Sequence, residues 1–195
     1  MENRNKIYYR HGTMYSGKST DLIKSYLSDQ RNKKVLAIKP SLDTRDDEIT
    51  SRIINATIPC IRFDKEESII GILKYYFDKH SCVPDVIYID EVQFLTEKQV
   101  AELHDITAYC PVICYGLKTS FTGDLFPAIS TLYTYAEDVK EIKHTCWMCK
   151  SKATYNLLVR NGKPIYNGDM VNIEGANNDD KYYAVCREHF FNPEL

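Results

Sequence analysis

Gly12-Thr-Met-Tyr-Ser-Gly-Lys-Ser19 is the stretch on which the fold turns. Its pattern, G-x-x-x-x-G-K-[ST], is that of a loop whose successive backbone N–H groups wrap a polyphosphate. The flanking residues place it where that mechanism needs it. Ile7-Tyr-Tyr9 reads as a short apolar strand, and Thr20-Asp-Leu-Ile-Lys-Ser-Tyr-Leu27 carries apolar residues at helical spacing. A nucleoside triphosphate is therefore the expected ligand, bound by Gly12, Thr13, Met14, Tyr15, Ser16, Gly17, Lys18, Ser19 and Thr20. Lys18 is placed to reach the transferred group, and the Ser19 hydroxyl to hold Mg2+.

Outward from this loop, strand-like and helix-like segments alternate. Val35-Leu-Ala-Ile-Lys39 is an apolar run closed by Pro40, and residues 58–63 form a weaker candidate strand before a helical pattern over 66–79. Asp85-Val-Ile-Tyr-Ile-Asp90 reads as a buried strand. Thr96, with Gln99 three residues on, caps a helix over 97–108. Pro111-Val-Ile-Cys-Tyr-Gly-Leu117 is another core strand, and residues 120–135 are mixed, with Leu125-Phe126 packing a helix or a subunit contact. Strands separated by helices of this size imply a P-loop NTPase-like α/β fold, a mostly parallel sheet with helices on both faces. Ligands then lie beyond the carboxyl ends of the strands.

After about residue 140 the texture changes. Residues 153–160 read as a hairpin strand turning at Asn161-Gly162, and residues 168–181 as a polar loop. The expected division is a nucleotide-binding unit over 1–140 and a smaller unit over 141–195, docked on the first without a flexible linker.

Three constellations carry chemistry. Asp90-Glu91 closes a hydrophobic strand: Asp90 is placed as a Mg2+-site carboxylate, and Glu91 to take a proton from an attacking hydroxyl. Cys146-x2-Cys149 and Cys186-x2-His189 supply three thiolates and an imidazole, a donor set that suits tetrahedral Zn2+ in a closed, structural site. Asp43-Thr-Arg45 is either a polar turn or a phosphate clamp through Arg45 with a second carboxylate, Asp43, near the Mg2+. The isolated residues His11, His80, His104 and His144 carry no pattern of their own.

A net charge of -2 gives no general electrostatic reason to bind nucleic acid. No segment is long and apolar enough to span a membrane, and the first residues lack the apolar core of a secretory signal. Cys60, Cys82, Cys110 and Cys114 lie in or beside apolar segments and are expected as buried free thiols, which fits a reduced, cytoplasmic setting.

Taken together, the residues at 12–20, Asp43-Thr-Arg45, Asp90-Glu-Val-Gln-Phe94, Tyr115-Gly-Leu117 with Phe121 and Phe126, Cys146/Cys149 and Tyr182-x3-Cys186-x2-His189 closely resemble the small (type II) thymidine kinase family of bacteria, large viruses and animal cytosol. The resemblance covers about residues 6 to 190. It implies transfer of phosphate from ATP to the 5′-hydroxyl of thymidine or deoxyuridine, with Glu91 as general base, Lys18 and Arg45 stabilising the phosphoryl group, Ser19 and Asp90 at Mg2+, and Asp43 accessory. It also implies that Met14, Leu117, Phe121 and Tyr182 surround thymine, with Gln93, Phe94, Asn156 and Ile173 in the same nucleoside site. The second unit then becomes a zinc-stabilised domain carrying a lasso loop over the base. The family further implies a homotetramer or homodimer and thymidine triphosphate as feedback inhibitor.

This chain departs from the family in two places. The lasso reads Ile173-Glu-Gly-Ala-Asn-Asn-Asp-Asp-Lys181 where relatives often carry Ile/Val-Gly-Gly. Ser120 and Thr122 flank Phe121 where an acid and an arginine are common. The competing reading is a P-loop ATPase or nucleic-acid-dependent NTPase with a zinc knuckle. That reading predicts basic grooves and motor motifs, and the length and charge speak against them.

Overall fold

Six parallel strands form the central sheet of the computed structural model, which describes residues 5–41, 47–51, 53–169 and 179–193. Numbered by position in the chain, they run across the sheet as β5 (Ile61–Phe63), β2 (Val35–Pro40), β6 (Val86–Ile89), β7 (Val112–Gly116), β1 (Ile7–His11) and β8 (Asp138–Glu141). Every residue of β6 is buried, as a strand covered on both faces must be.

The two faces are covered differently. On one lie α2 (Ile69–His80), α3 (Glu97–Ile106) and α4 (Pro127–Tyr135), whose Ile72, Leu103 and Leu132 pack on Ile38, Ile87 and Ile89. On the other, α1 (Lys18–Asp29) presents Leu22, Ile23 and Tyr26 to Ala37, Tyr88 and Tyr115. The hairpin of β3 (Glu48–Ser51) and β4 (Ala56–Pro59) completes this face through Ile49 and Ile58. Tyr88 and Tyr115 bury their rings here and donate their hydroxyls to Asp29 and Asp21, each at 2.9 Å.

A second, antiparallel sheet follows: β9 (Tyr155–Arg160) lies between β10 (Lys163–Ile165) and β11 (Asp180–Val185), and α5 (Arg187–Phe191) closes the unit. Asn161 and Gly162 make the β9–β10 turn with φ of 50° and 72°, the paired left-handed geometry a two-residue hairpin requires.

Several boundaries differ from expectation. Residues 58–63 are two strands in two sheets, because Pro59 offers no N–H to a ladder and Cys60 turns its own to the Asp47 carbonyl at 3.0 Å. β8 was not foreseen: Asp138-Val-Lys-Glu141 is polar, yet it pairs with β1 at the sheet edge, where Arg10 donates to Asp138 at 2.6 Å. The second helix begins at Ile69 and not at 66, since Ser68 accepts the Gly71 N–H and Glu102 of α3 accepts that of Ile69. The expected loop over 168–181 gives way to β11 from Asp180, clamped by both carboxylate oxygens to Arg160. Cys110 and Cys114 are buried as expected, whereas Cys60 and Cys82 are half-buried.

The cap on α3 is as read from sequence: Thr96 Oγ1 accepts the Gln99 N–H at 3.1 Å, and Gln99 Oε1 accepts the Thr96 N–H at 2.9 Å. Gln99 Nε2 also donates to the carbonyls of Asp64 and Glu67, tying α3 to the β5–α2 connection. Thr96→Ala should therefore lower unfolding free energy by about 1 kcal/mol in urea denaturation. Gln99→Leu, which strands three backbone groups, should lower it by roughly 2–4 kcal/mol. Equal effects of the two changes would show that Gln99 is no more than a cap.

Candidate active site

The phosphate loop lies between β1 and α1, at the carboxyl ends of the parallel strands. A Cβ on Gly12 would stand 2.4 Å from Ser16 Oγ and 2.6 Å from the Ile142 carbonyl oxygen, so the chain can pass here only without a side chain. Gly17, with φ of 87°, makes the left-handed step into α1. Among the described residues, Thr13 Oγ1 and Ser16 Oγ are buried hydroxyls with no hydrogen-bond partner. The loop thus carries polar capacity its own fold does not consume, as a polyphosphate cradle should.

Lys18 is 8% exposed, and its ammonium donates to the Thr13 carbonyl at 2.8 Å. Burial pulls its pKa below the ordinary lysine range, opposed by the carboxylates of Glu91 and Asp90. Ser19, one residue on, donates to Asp90 Oδ2 at 3.2 Å from the first turn of α1. Asp90 itself is 5% exposed. Burial pushes its carboxyl above the usual range and Glu91 adds to this, while Lys18 and the Ser19 hydroxyl oppose it. A cation beside Ser19 and Asp90 would favour the ionised form, so the donor set fits Mg2+.

Glu91 leaves β6 in a left-handed conformation, φ 53° and ψ 41°, and its N–H donates to Asp90 Oδ1 at 3.1 Å. The turn aims adjacent carboxylates in different directions, Asp90 toward α1 and Glu91 toward Gln93. The sequence pattern therefore found the residues that the structure brings together: Lys18, Ser19, Asp90 and Glu91 form one charged group. Asp43 and Arg45 lie outside the described residues.

Of the residues expected around the base, Met14, Phe121 and Tyr182 meet in one cluster with Leu158 and Ile165. Leu117 and Phe94 pack instead against the main core, Phe94 edge-on to Phe126 at 6.0 Å. Ile173 lies outside the described residues. Asn156, expected beside the substrate, is buried in β9 and bridges two loops: Oδ1 accepts the Met14 N–H at 2.8 Å, and Nδ2 donates to the Thr119 carbonyl at 3.2 Å. No local signal reveals that bond, since its partners stand 142 residues apart. The departures flanking Phe121 satisfy each other: the Ser120 and Thr122 hydroxyls lie 2.7 Å apart, and Thr122 donates to Asp124 at 2.8 Å.

Cys146, Cys149, Cys186 and His189 converge with all ligand atoms within 4.8 Å of one another. Cys149 Sγ lies 3.8 Å from Cys186 Sγ, and His189 Nδ1 lies 3.6 Å from Cys146 Sγ and 3.3 Å from Cys186 Sγ. Zn–S bonds of about 2.3 Å set tetrahedral sulfurs about 3.8 Å apart, so the spacing suits one zinc ion. Hydrogen bonding from Ser151 first, and then from the neighbouring thiols, holds the Cys149 thiol down to about 6, favouring the thiolate a metal needs.

The thymidine kinase family model matches residues 5–190. A thymidine kinase of Streptococcus pyogenes serotype M3 is 36% identical over 194 residues, covering 97% of this chain and 99% of that protein. A thymidine kinase of Lactococcus lactis subsp. lactis is 34% identical over 195 residues, with the same shares of 97% and 99%. Among solved structures, the Legionella pneumophila ATPase DotB aligns with a TM-score of 0.42 and 12% identity over 78% of this chain and 44% of that one, a likeness too slight to bear on fold or function. Both kinases match along almost their whole length, and the chain belongs to the thymidine kinase family.

Proposed function

We propose that this protein phosphorylates thymidine, and also deoxyuridine, at the 5′-hydroxyl with ATP, giving ADP and the nucleoside monophosphate in nucleotide salvage. The observation that carries the reading is the group at the strand ends: a buried lysine, a hydroxyl bonded to a buried aspartate, and a second carboxylate that acts on both charges while bonding to Gln93. A family name alone would not say which atoms do the work.

In this reading the loop from Gly12 to Thr20 holds the triphosphate by its backbone N–H groups, and Lys18 balances charge on the γ-phosphoryl group. Ser19 and Asp90 hold Mg2+, which supplies further charge neutralisation on the phosphates. Glu91 takes the proton of the 5′-hydroxyl. The oxygen so freed bonds to the γ-phosphorus, and the bond from that phosphorus to the β–γ bridging oxygen breaks, leaving ADP. Arg45 and Asp43 are assigned to the same centre as phosphate clamp and accessory carboxylate. The base lies against Met14, Phe121 and Tyr182, with Leu117, Phe94 and Ile173 around it. The cluster of Met14 with Phe121 and Tyr182 supports this placement.

Cys146, Cys149, Cys186 and His189 hold a structural Zn2+ that closes the second unit, taken as residues 141–195 beside a kinase unit over 1–140. The homotetramer or homodimer and inhibition by thymidine triphosphate follow from family resemblance alone, and the cytoplasmic location from the free cysteines. No helix among the described residues is long and apolar enough to cross a membrane.

Two measurements test this. Glu91→Gln should lower kcat for thymidine phosphorylation by about 100-fold or more while ATP still binds in calorimetry. Near-normal turnover would remove the base from the scheme. Metal analysis of purified protein should find about one Zn2+ per chain, and its chelation should lower the thermal midpoint. Metal-free protein with an unchanged midpoint would refute the structural zinc.

A further inference from the structure

The structure assigns Gln93 as the positioning residue that holds the Glu91 carboxylate in its working direction, with Gly116 as the space this requires. The inference rests on Glu91 being the base. Gln93 is 3% exposed, and both ends of its amide are engaged. Its Oε1 accepts the Leu117 N–H at 2.9 Å, and its Nε2 donates to Glu91 Oε2 at 2.5 Å.

The orientation of this amide is not free. A backbone N–H can only donate, so the atom facing Leu117 must be the oxygen, and the NH2 end is forced toward Glu91. One carboxylate oxygen of Glu91 is thereby occupied, leaving Oε1 for the substrate alcohol. The backbone gives a reason for the brace. Glu91 sits at φ 53°, a left-handed conformation that is strained for a non-glycine residue and persists only where surrounding contacts fix it. The Asp90 carboxylate fixes its N–H, and Gln93 fixes its side chain.

Gly116, at the end of β7, completes the device. A Cβ there would stand 2.4 Å from Gln93 Oε1 and 2.8 Å from Val92 Cγ1. Gly116 is absent from the positive-φ glycines, so room and not backbone freedom requires it. Gln93 therefore links the end of β7 to the turn after β6, and the register of two neighbouring strands sets the direction of the carboxylate.

The test is steady-state kinetics with ATP and thymidine for Gln93→Met, Gln93→Glu, Gly116→Ala, Glu91→Gln and the Glu91→Gln/Gln93→Met double variant. Gln93→Met keeps the volume and loses both hydrogen bonds. Gln93→Glu keeps the acceptor for Leu117 but sets a like charge against Glu91. Both, and Gly116→Ala, should lower kcat roughly 10- to 100-fold with each KM within about twofold of wild type. The double variant should be no slower than Glu91→Gln alone, because Gln93 acts only through that carboxylate.

A raised thymidine KM at unchanged kcat would overturn the assignment in favour of direct contact with the nucleoside. So would a double variant slower than Glu91→Gln by the full factor of the single change. Wild-type turnover in Glu91→Gln would instead defeat the base itself and the brace with it, an outcome read from that variant alone. Should Gln93→Met fail to melt cooperatively, Gln93→Glu carries the same comparison.

Discussion

An ammonium and a carboxylate held out of water within one small site set the terms for the rest of this molecule. Neither Lys18 nor Asp90 would remain charged in an apolar interior by itself, and burial drives both pKa values toward the neutral form. Each opposes that drift in the other, and the Ser19 hydroxyl adds a hydrogen bond. Three chain segments must therefore arrive together: the loop after β1, the first turn of α1 and the end of β6. The parallel sheet is what delivers them, since it brings the carboxyl ends of its strands to one edge. Such a group is poorly satisfied within the protein and well matched to phosphates and a divalent ion.

The second sheet depends on a different balance. Its core consists chiefly of Leu157, Val159, Val185 and Phe190, together with two of the cysteines, which is little apolar material for an independent unit. Two knuckles contributed by the chain on either side of β9 and β11 converge beside it, and a metal held there would supply cohesion that the apolar core does not. The unit is also bound to the main one by polar contacts, because Asn156 satisfies backbone groups on the phosphate loop and on the loop before Phe121.

What was legible in the sequence was local or strongly periodic. The phosphate loop, the apolar runs of β2, β6 and β7, the cap at Thr96 and the Asn161-Gly162 turn are each decided by a few adjacent residues. The Cys/His cluster was readable because the spacing of its two short knuckles is that of a donor set able to share one ion. β8 was invisible because an edge strand needs no apolar face, and its four residues are held by pairing with β1 and by Arg10. The split at Pro59 turned on a single missing donor inside an otherwise strand-like run. For Gln93 and Asn156, which the family resemblance implies near the nucleoside, the amide oxygens accept the Leu117 and Met14 N–H groups, and Asn156 Nδ2 also donates to the Thr119 carbonyl. Tertiary geometry alone fixes such partners, and no pattern in the flanking residues encodes them.

The bridge made by Asn156 has a consequence for how this protein can be rearranged. A chimera that took its amino-terminal portion from one relative and its carboxy-terminal portion from another would join a loop and a bracket that had never been matched. Because the bracket holds the main chain of Met14 and of Thr119, the side chains at those two positions are free to drift without breaking it. Loop backbone and position 156 must instead be inherited as a compatible set, which makes the seam near Ile142 a poorer crossover point than the change of sheet there suggests.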